Sequence, residues 1–157
     1  MKLEVWAIGK TSEAYLSEGI RAYQQKISHF IPFGYQELQE SRQQRSADRS
    51  KTMKNQADLV HSRLTPEDHV VLLDEKGKQL NSVQFARYLN GFLISSHKRV
   101  VFLTGGAYGF HESVHNKYPE KLSLSSLTFP HDMVRLFLLE QIYSGCTILK
   151  NQPYHHI

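Results

Sequence analysis

Val100-Val101-Phe102-Leu103-Thr104-Gly105-Gly106-Ala107-Tyr108-Gly109 is an unbroken apolar run that passes straight into a glycine-rich turn. A strand with one face in water alternates apolar and polar side chains, whereas a strand covered on both faces is apolar throughout. His69-Val70-Val71-Leu72-Leu73-Asp74 repeats the pattern upstream, and residues 3–8, closed by Gly9, read as a first strand. A short strand is expected at 35–38, after Pro32 and Gly34, and a last one at 122–129.

Amphipathic stretches separate these runs. Ser12 is placed to cap a helix in which Leu16, Ile20, Tyr23 and Ile27 recur at helical spacing. Residues 46–64 predict a polar helix whose inward stripe is Met53, Ala57, Val60 and Leu64. Residues 75–78 read as a turn, after which Ser82 is expected to cap a helix carrying Phe85, Leu89, Phe92 and Leu93. A short helix near 112–117 stops at Pro119, and Pro130 suits the first turn of a closing helix with Val134, Leu138 and Ile142. Strand–helix alternation with buried strands predicts an α/β fold. It has a mostly parallel sheet with helices on both faces, formed by a single domain over residues 1–157. Ligands of such sheets bind beyond the carboxyl ends of the strands. Three loops lie there: after Leu73, after Leu103 and near Phe129.

Composition narrows the function classes. A chain of 157 residues buries roughly two-thirds of its unfolded surface and needs no covalent staple. Apolar residues at 40% and charged residues at 22% exclude a disordered chain. The single cysteine, Cys146, excludes an intrachain disulfide, reads as a small buried apolar residue and fits a reducing, cytoplasmic setting. Residues 1–10 are too short and too charged for a signal peptide, and no apolar run approaches a membrane span. The net charge of +4 is compatible with a phosphate-rich partner.

Several groups of residues could carry chemistry. Glycines in 104–109 let backbone approach a ligand and offer amide donors, but the spacing is neither that of a dinucleotide fingerprint nor that of a triphosphate loop. The alternative is a tight turn needing positive φ. His111-Glu112-Ser113-Val114-His115 spells the zinc-hydrolase motif, which requires both histidines on one helical face. The early stop at Pro119 and the lack of a third ligand favour solvent-facing histidines, so no metal is expected. Arg42, Arg45 and Arg49 share a stripe if that segment is helical, with Lys51 and Lys54 nearby. The stripe is a phosphate-contacting face or simply a solvated one. It leaves open a non-catalytic RNA- or ribosome-binding module. His131 and Arg135 are neighbours on the closing helix, just after the last strand.

Taken in order, residues 72–78, 102–109, 122–131, 133–143 and the ending Pro153-Tyr154-His155 resemble the RlmH branch of the SPOUT methyltransferases, as does the opening 5–10. Each motif alone is weak; the ordered set spans nearly the whole chain. The resemblance implies a trefoil-knotted carboxyl-terminal half and a homodimer with sites at the subunit boundary. It implies S-adenosylmethionine as methyl donor, held by Leu73, Gly105 and the segment Leu124, Ser125, Ser126, Leu127, Thr128 and Phe129, chiefly through backbone groups. The substrate implied is a pseudouridine of 23S rRNA, methylated at N3 on the assembled ribosome. Methyl transfer from a sulfonium is an in-line displacement, so positioning should dominate the catalysis. The acceptor imide must also lose a proton. His155 assisted by Tyr154 is expected at the target base, with Arg135 on RNA phosphate.

Overall fold

The computed structural model describes residues 1–40 and 47–151. Five strands form one sheet: β1 (Lys2–Ile8), β2 (Phe33–Leu38), β3 (Asp68–Gln79), β4 (Arg99–Thr104) and β5 (Lys121–Ser123). Their order is β2-β1-β4-β3-β5, and every neighbouring pair is parallel. Parallel neighbours cannot be joined by a hairpin, so each connection crosses a face of the sheet, and helices cover both. The crossovers and the closing segment supply α1 (Ala14–Ser28), α2 (Arg49–Arg63), α3 (Ser82–Leu93), α4 (Glu112–Lys117) and α5 (His131–Leu149).

The two-residue period of the strands divides the core. Leu3, Val5, Val71, Leu73, Val100 and Phe102 point to one side, where they meet Ile20 and Ile27 of α1, Phe85 and Leu89 of α3, and Leu138 and Ile142 of α5. Trp6, Ile8, Val70, Leu72, Val101 and Leu103 point to the other and meet Ala57 and Val60 of α2 and Val114 of α4. That double coverage is the physical reason the central strands are apolar without alternation. Cys146 is buried in the first cluster, and burial pushes its thiol up to about 11, consistent with the packing role read from the sequence.

The structure corrects several local expectations. Residues 75–78 do not turn the chain; β3 runs on to Gln79. Leu73 and Lys78 both face Leu122, so the chain bulges outward between them and then rejoins β5. The last strand ends at Ser123, not Phe129. Beyond it the Ser123 hydroxyl donates to the Ser125 carbonyl, and the Ser125 hydroxyl accepts from the Leu127 N–H. These local bonds compete with the ladder and hold residues 124–130 as a loop. Ser12 does not cap α1; Glu13 is its N-cap, and Ser12 instead donates through N–H and Oγ to Asp132, at 3.1 and 3.0 Å. The cap of α3 is Asn81, which forms a reciprocal box with Gln84, and that of α2 is Asp48. Pro130 sits one place before α5, at its N-cap.

Candidate active site

The three loops singled out by strand polarity converge on one cavity of about 510 Å3. That volume falls within the roughly 300–1,000 Å3 of small-molecule sites. The end of β3 contributes Leu73 and the bulged residues Asp74, Glu75 and Lys76. The end of β4 contributes Thr104, Gly105, Gly106 and Ala107, and the loop after β5 contributes Leu124, Ser125, Leu127, Thr128 and Phe129. His131 and Val134 of α5 close the far side. Of the residues expected to hold a methyl donor, all line this cavity except Ser126, which lies within the same loop.

The glycine turn is built by backbone geometry. Gly109 adopts φ +76°, a left-handed conformation in which a Cβ is strained. Its N–H donates to the Gly106 carbonyl at 3.1 Å, closing the turn. A Cβ on Gly105 would press on the Gly109 backbone at 3.3 Å. The motif is therefore a tight positive-φ turn and, at the same time, a cavity wall without side chains. Thr104 is buried and its Oγ1 has no hydrogen-bond partner among the described residues, although the residue lines the cavity. A buried hydroxyl is rarely left unsatisfied, so a polar ligand atom has a partner waiting. Glycine cradle, unpaired hydroxyl, apolar Leu73 and Leu124, and charged Asp74 and Glu75 suit a small ligand with both an apolar part and cationic groups.

A charged network buttresses the α5 side. Arg135 is fully buried; its Nη1 donates to the Gly9 carbonyl (2.9 Å) and Thr11 Oγ1 (2.8 Å), and its Nη2 to the Ile8 carbonyl (2.8 Å). Glu37 and Asp132 lie 3.5 and 3.7 Å from Nη1. Burial by itself would raise the Asp132 carboxyl, but the Ser12 N–H and hydroxyl and the Arg135 charge outweigh it and hold the carboxyl below its ordinary value. Glu37 behaves alike, with burial outweighed by bonds from Thr11 and Tyr35 and by Arg135. His131 Nε2 meets Asp132 Oδ1 at 3.1 Å on the cavity side. The phosphate contact expected of Arg135 is not what this chain provides. With no exposed surface, the guanidinium ties the end of β1 to the start of α5.

The metal-motif geometry does not form either. His111 lies outside α4 as its N-cap, with Nδ1 accepting from the Ser113 N–H at 3.1 Å. His115 packs edge-on to Phe110, 3.8 Å from Asp74. A shared helical face requires both histidines inside the helix. Among the described residues no group of three or more histidine, cysteine, aspartate or glutamate side chains is arranged to hold a metal ion. Tyr154 and His155, like Arg42 and Arg45, lie outside the described residues.

Sequence reasoning places a ligand loop after Leu73 but gives Asp74, Glu75 and Lys76 no role in it, reading Asp74 as the end of the strand and 75–78 as a turn. It also missed Thr104, whose position at the carboxyl end of a buried strand was the available signal. The links from Arg135 to Glu37 and Thr11 had no signal in spacing.

Comparison with known proteins agrees with this architecture. The family described as "Predicted SPOUT methyltransferase" matches residues 1–155. A protein of Cytophaga hutchinsonii named ribosomal RNA large subunit methyltransferase H is 43% identical over 157 residues, covering 99% of this chain and 100% of its own length. Proteins of the same name from Parabacteroides distasonis and Trichlorobacter lovleyi are 42% and 38% identical over 156 residues, each across 99% of this chain.

Proposed function

Since this chain belongs to the SPOUT methyltransferase family, we propose that it transfers the methyl group of S-adenosylmethionine to N3 of a pseudouridine in 23S rRNA, on the assembled ribosome. The observation that carries the reading is the cavity in which Leu73, Gly105 and residues 124–129 converge at the carboxyl ends of parallel strands. When bound, S-adenosylmethionine supplies an electrophilic methyl on a sulfonium. The chain's own part is to hold donor and acceptor in line and to receive a proton. Backbone groups around Gly105, Leu124 and Leu127 would hold the donor, with Thr104 Oγ1 free to bond it and the carboxylates of Asp74 and Glu75 near its cationic groups.

His155 takes the acceptor's imide proton in this reading, and Tyr154 orients the base; both belong to the segment beyond the described residues. Arg135 acts through others, as a positioning residue that keeps α5 and His131 registered against the cavity. The knotted threading and the homodimer of the family complete the arrangement. Exposed Leu127, Phe137 and Tyr15 offer an apolar surface for the second subunit. Work on ribosomes implies a cytoplasmic location, and no helix among the described residues is long and apolar enough to cross a membrane.

The test is incubation with labelled donor and ribosomes from a strain lacking the modification, with and without chelator, alongside donor calorimetry on wild type and Gly105→Val. Expected are chelator-insensitive methyl incorporation into large-subunit RNA and loss of donor binding in the variant. No incorporation into intact ribosomes or free RNA would overturn the assignment.

A further inference from the structure

Tyr108 is the one residue of the 106–109 turn that does not face the cavity. Gly106, Ala107 and Gly109 line it, whereas the Tyr108 ring stands on the outer rim, 45% exposed. Burial does not explain an aromatic side chain there. The Arg49 guanidinium lies over the ring, 5.1 Å from its centroid, within the range of a cation–π contact. Arg49 is the first residue of α2, and the helix rests on the turn, with the Gln56 amide 3.5 Å from the Cβ position of Gly106. The ring is thus held from one side by an exposed cation.

The contact on that side of the ring is a cation rather than an apolar side chain. Arg49 is exposed at the start of α2 on the face that also brings Gln56 to the turn, whereas Lys51 and Lys54, also exposed, project from other faces of the helix. A protein-binding hot spot places its aromatic anchor among apolar neighbours that exclude water. An exposed aromatic face backed by an arginine instead matches the chemistry of an unpaired nucleotide, in which a π-face is joined to a phosphate.

We infer that Tyr108, backed by Arg49, is a stacking platform for an unpaired nucleobase flanking the nucleotide that is methylated, with the Arg49 charge beside the adjoining phosphate. The inference rests on the methyltransferase reading for the identity of the RNA and on the rim geometry for the contact itself. The flanking base stacks outside the turn while the target base enters the cavity inside it. A hydroxyl is not needed for stacking, but a ring is.

The experiment measures binding of the full chain to ribosomes lacking the modification, across a salt series, for wild type, Tyr108→Ala, Tyr108→Phe and Arg49→Ala. Donor affinity by calorimetry and the thermal midpoint are read on the same samples. Loss of one base–aromatic stack should weaken RNA binding by about tenfold in Tyr108→Ala, with the salt slope unchanged. Tyr108→Phe should restore the affinity, and Arg49→Ala should lower both affinity and salt slope. Donor affinity should stay within about twofold throughout, since one stack's worth of energy is confined to the RNA.

Unchanged ribosome binding in Tyr108→Ala overturns the platform and leaves the methyltransferase reading standing. Parallel losses of donor affinity and thermal midpoint also overturn it, because the ring would then be a clamp between α2 and the turn. A wild-type chain that binds ribosomes through Tyr108 but transfers no methyl sinks the methyltransferase reading and leaves the platform intact.

Discussion

Arg135 is where the residue scale is clearest. A guanidinium with no exposed surface sits between two carboxylates and two backbone carbonyls. Removing one partner of a buried pair leaves the others uncompensated, at a cost of about 3–5 kcal/mol. Arg135→Met should lose stability on that scale in urea unfolding, and an unchanged midpoint would show that the network contributes nothing net. The pH dependence has a definite sign. Asp132 and Glu37 are held below their ordinary values when folded, so the folded chain binds fewer protons than the unfolded one in acid. Their contribution is complete above about pH 5 and is lost as pH falls through about 4 and below. In Arg135→Met the same carboxyls lose the Arg135 charge, and Asp132 keeps, of its two cationic contacts, only that with His131, so the acid limb of stability against pH should flatten. A wild-type acid limb in that variant would mean the shifts arise from Ser12, Thr11, Tyr35 and His131 without Arg135.

At the scale of elements, the wall between β3 and β5 matters most. A Cβ on Gly77 would lie 2.6 Å from the Leu122 backbone, and backbone cannot rotate aside as a side chain can. Gly77→Ala must push β5 away from β3, with a penalty of about 1–3 kcal/mol for overpacking. The displaced strand carries Leu122 to Ser125 into the cavity wall, so donor affinity should fall with stability. Asn81→Ala is the matched control. It removes the reciprocal cap of α3, worth about 1 kcal/mol, at a helix end away from the cavity. Calorimetry should show weaker donor binding for Gly77→Ala and unchanged binding for Asn81→Ala. Equal donor affinities in the two variants would uncouple the β3–β5 register from the site.

For the whole molecule, the exposed apolar side chains matter most. Leu127 and Phe137 are exposed beside the cavity loop, and Phe129 packs edge-on against Phe137 at 5.0 Å. A second subunit seated there would border the donor site. For the proposed homodimer, Phe137→Glu places a charge in that apolar surface, and the variant should sediment as a monomer at micromolar concentration where the wild type sediments as a dimer. It should also reduce methyl transfer while leaving the monomer folded. A variant that sediments as a dimer would move the interface elsewhere.

What the sequence alone determined was the periodic part. Unbroken apolar runs at 70–73 and 100–103 specified strands covered on both faces, because only double burial makes both sides of a strand apolar. Strand polarity then located the cavity, and the ordered motifs indicated the family. Tertiary structure alone decided where β3 and β5 part. Whether Glu75 to Lys78 turns or continues depends on a partner strand more than forty residues away, and no local propensity encodes that pairing. It likewise decided the fate of Arg135. The residue reads as a surface arginine on an amphipathic helix until Glu37, some hundred residues distant, and the carbonyls of Ile8 and Gly9 enclose it. Contacts between residues remote in sequence leave no period in it, which is why the sheet was legible and its charged buttress was not.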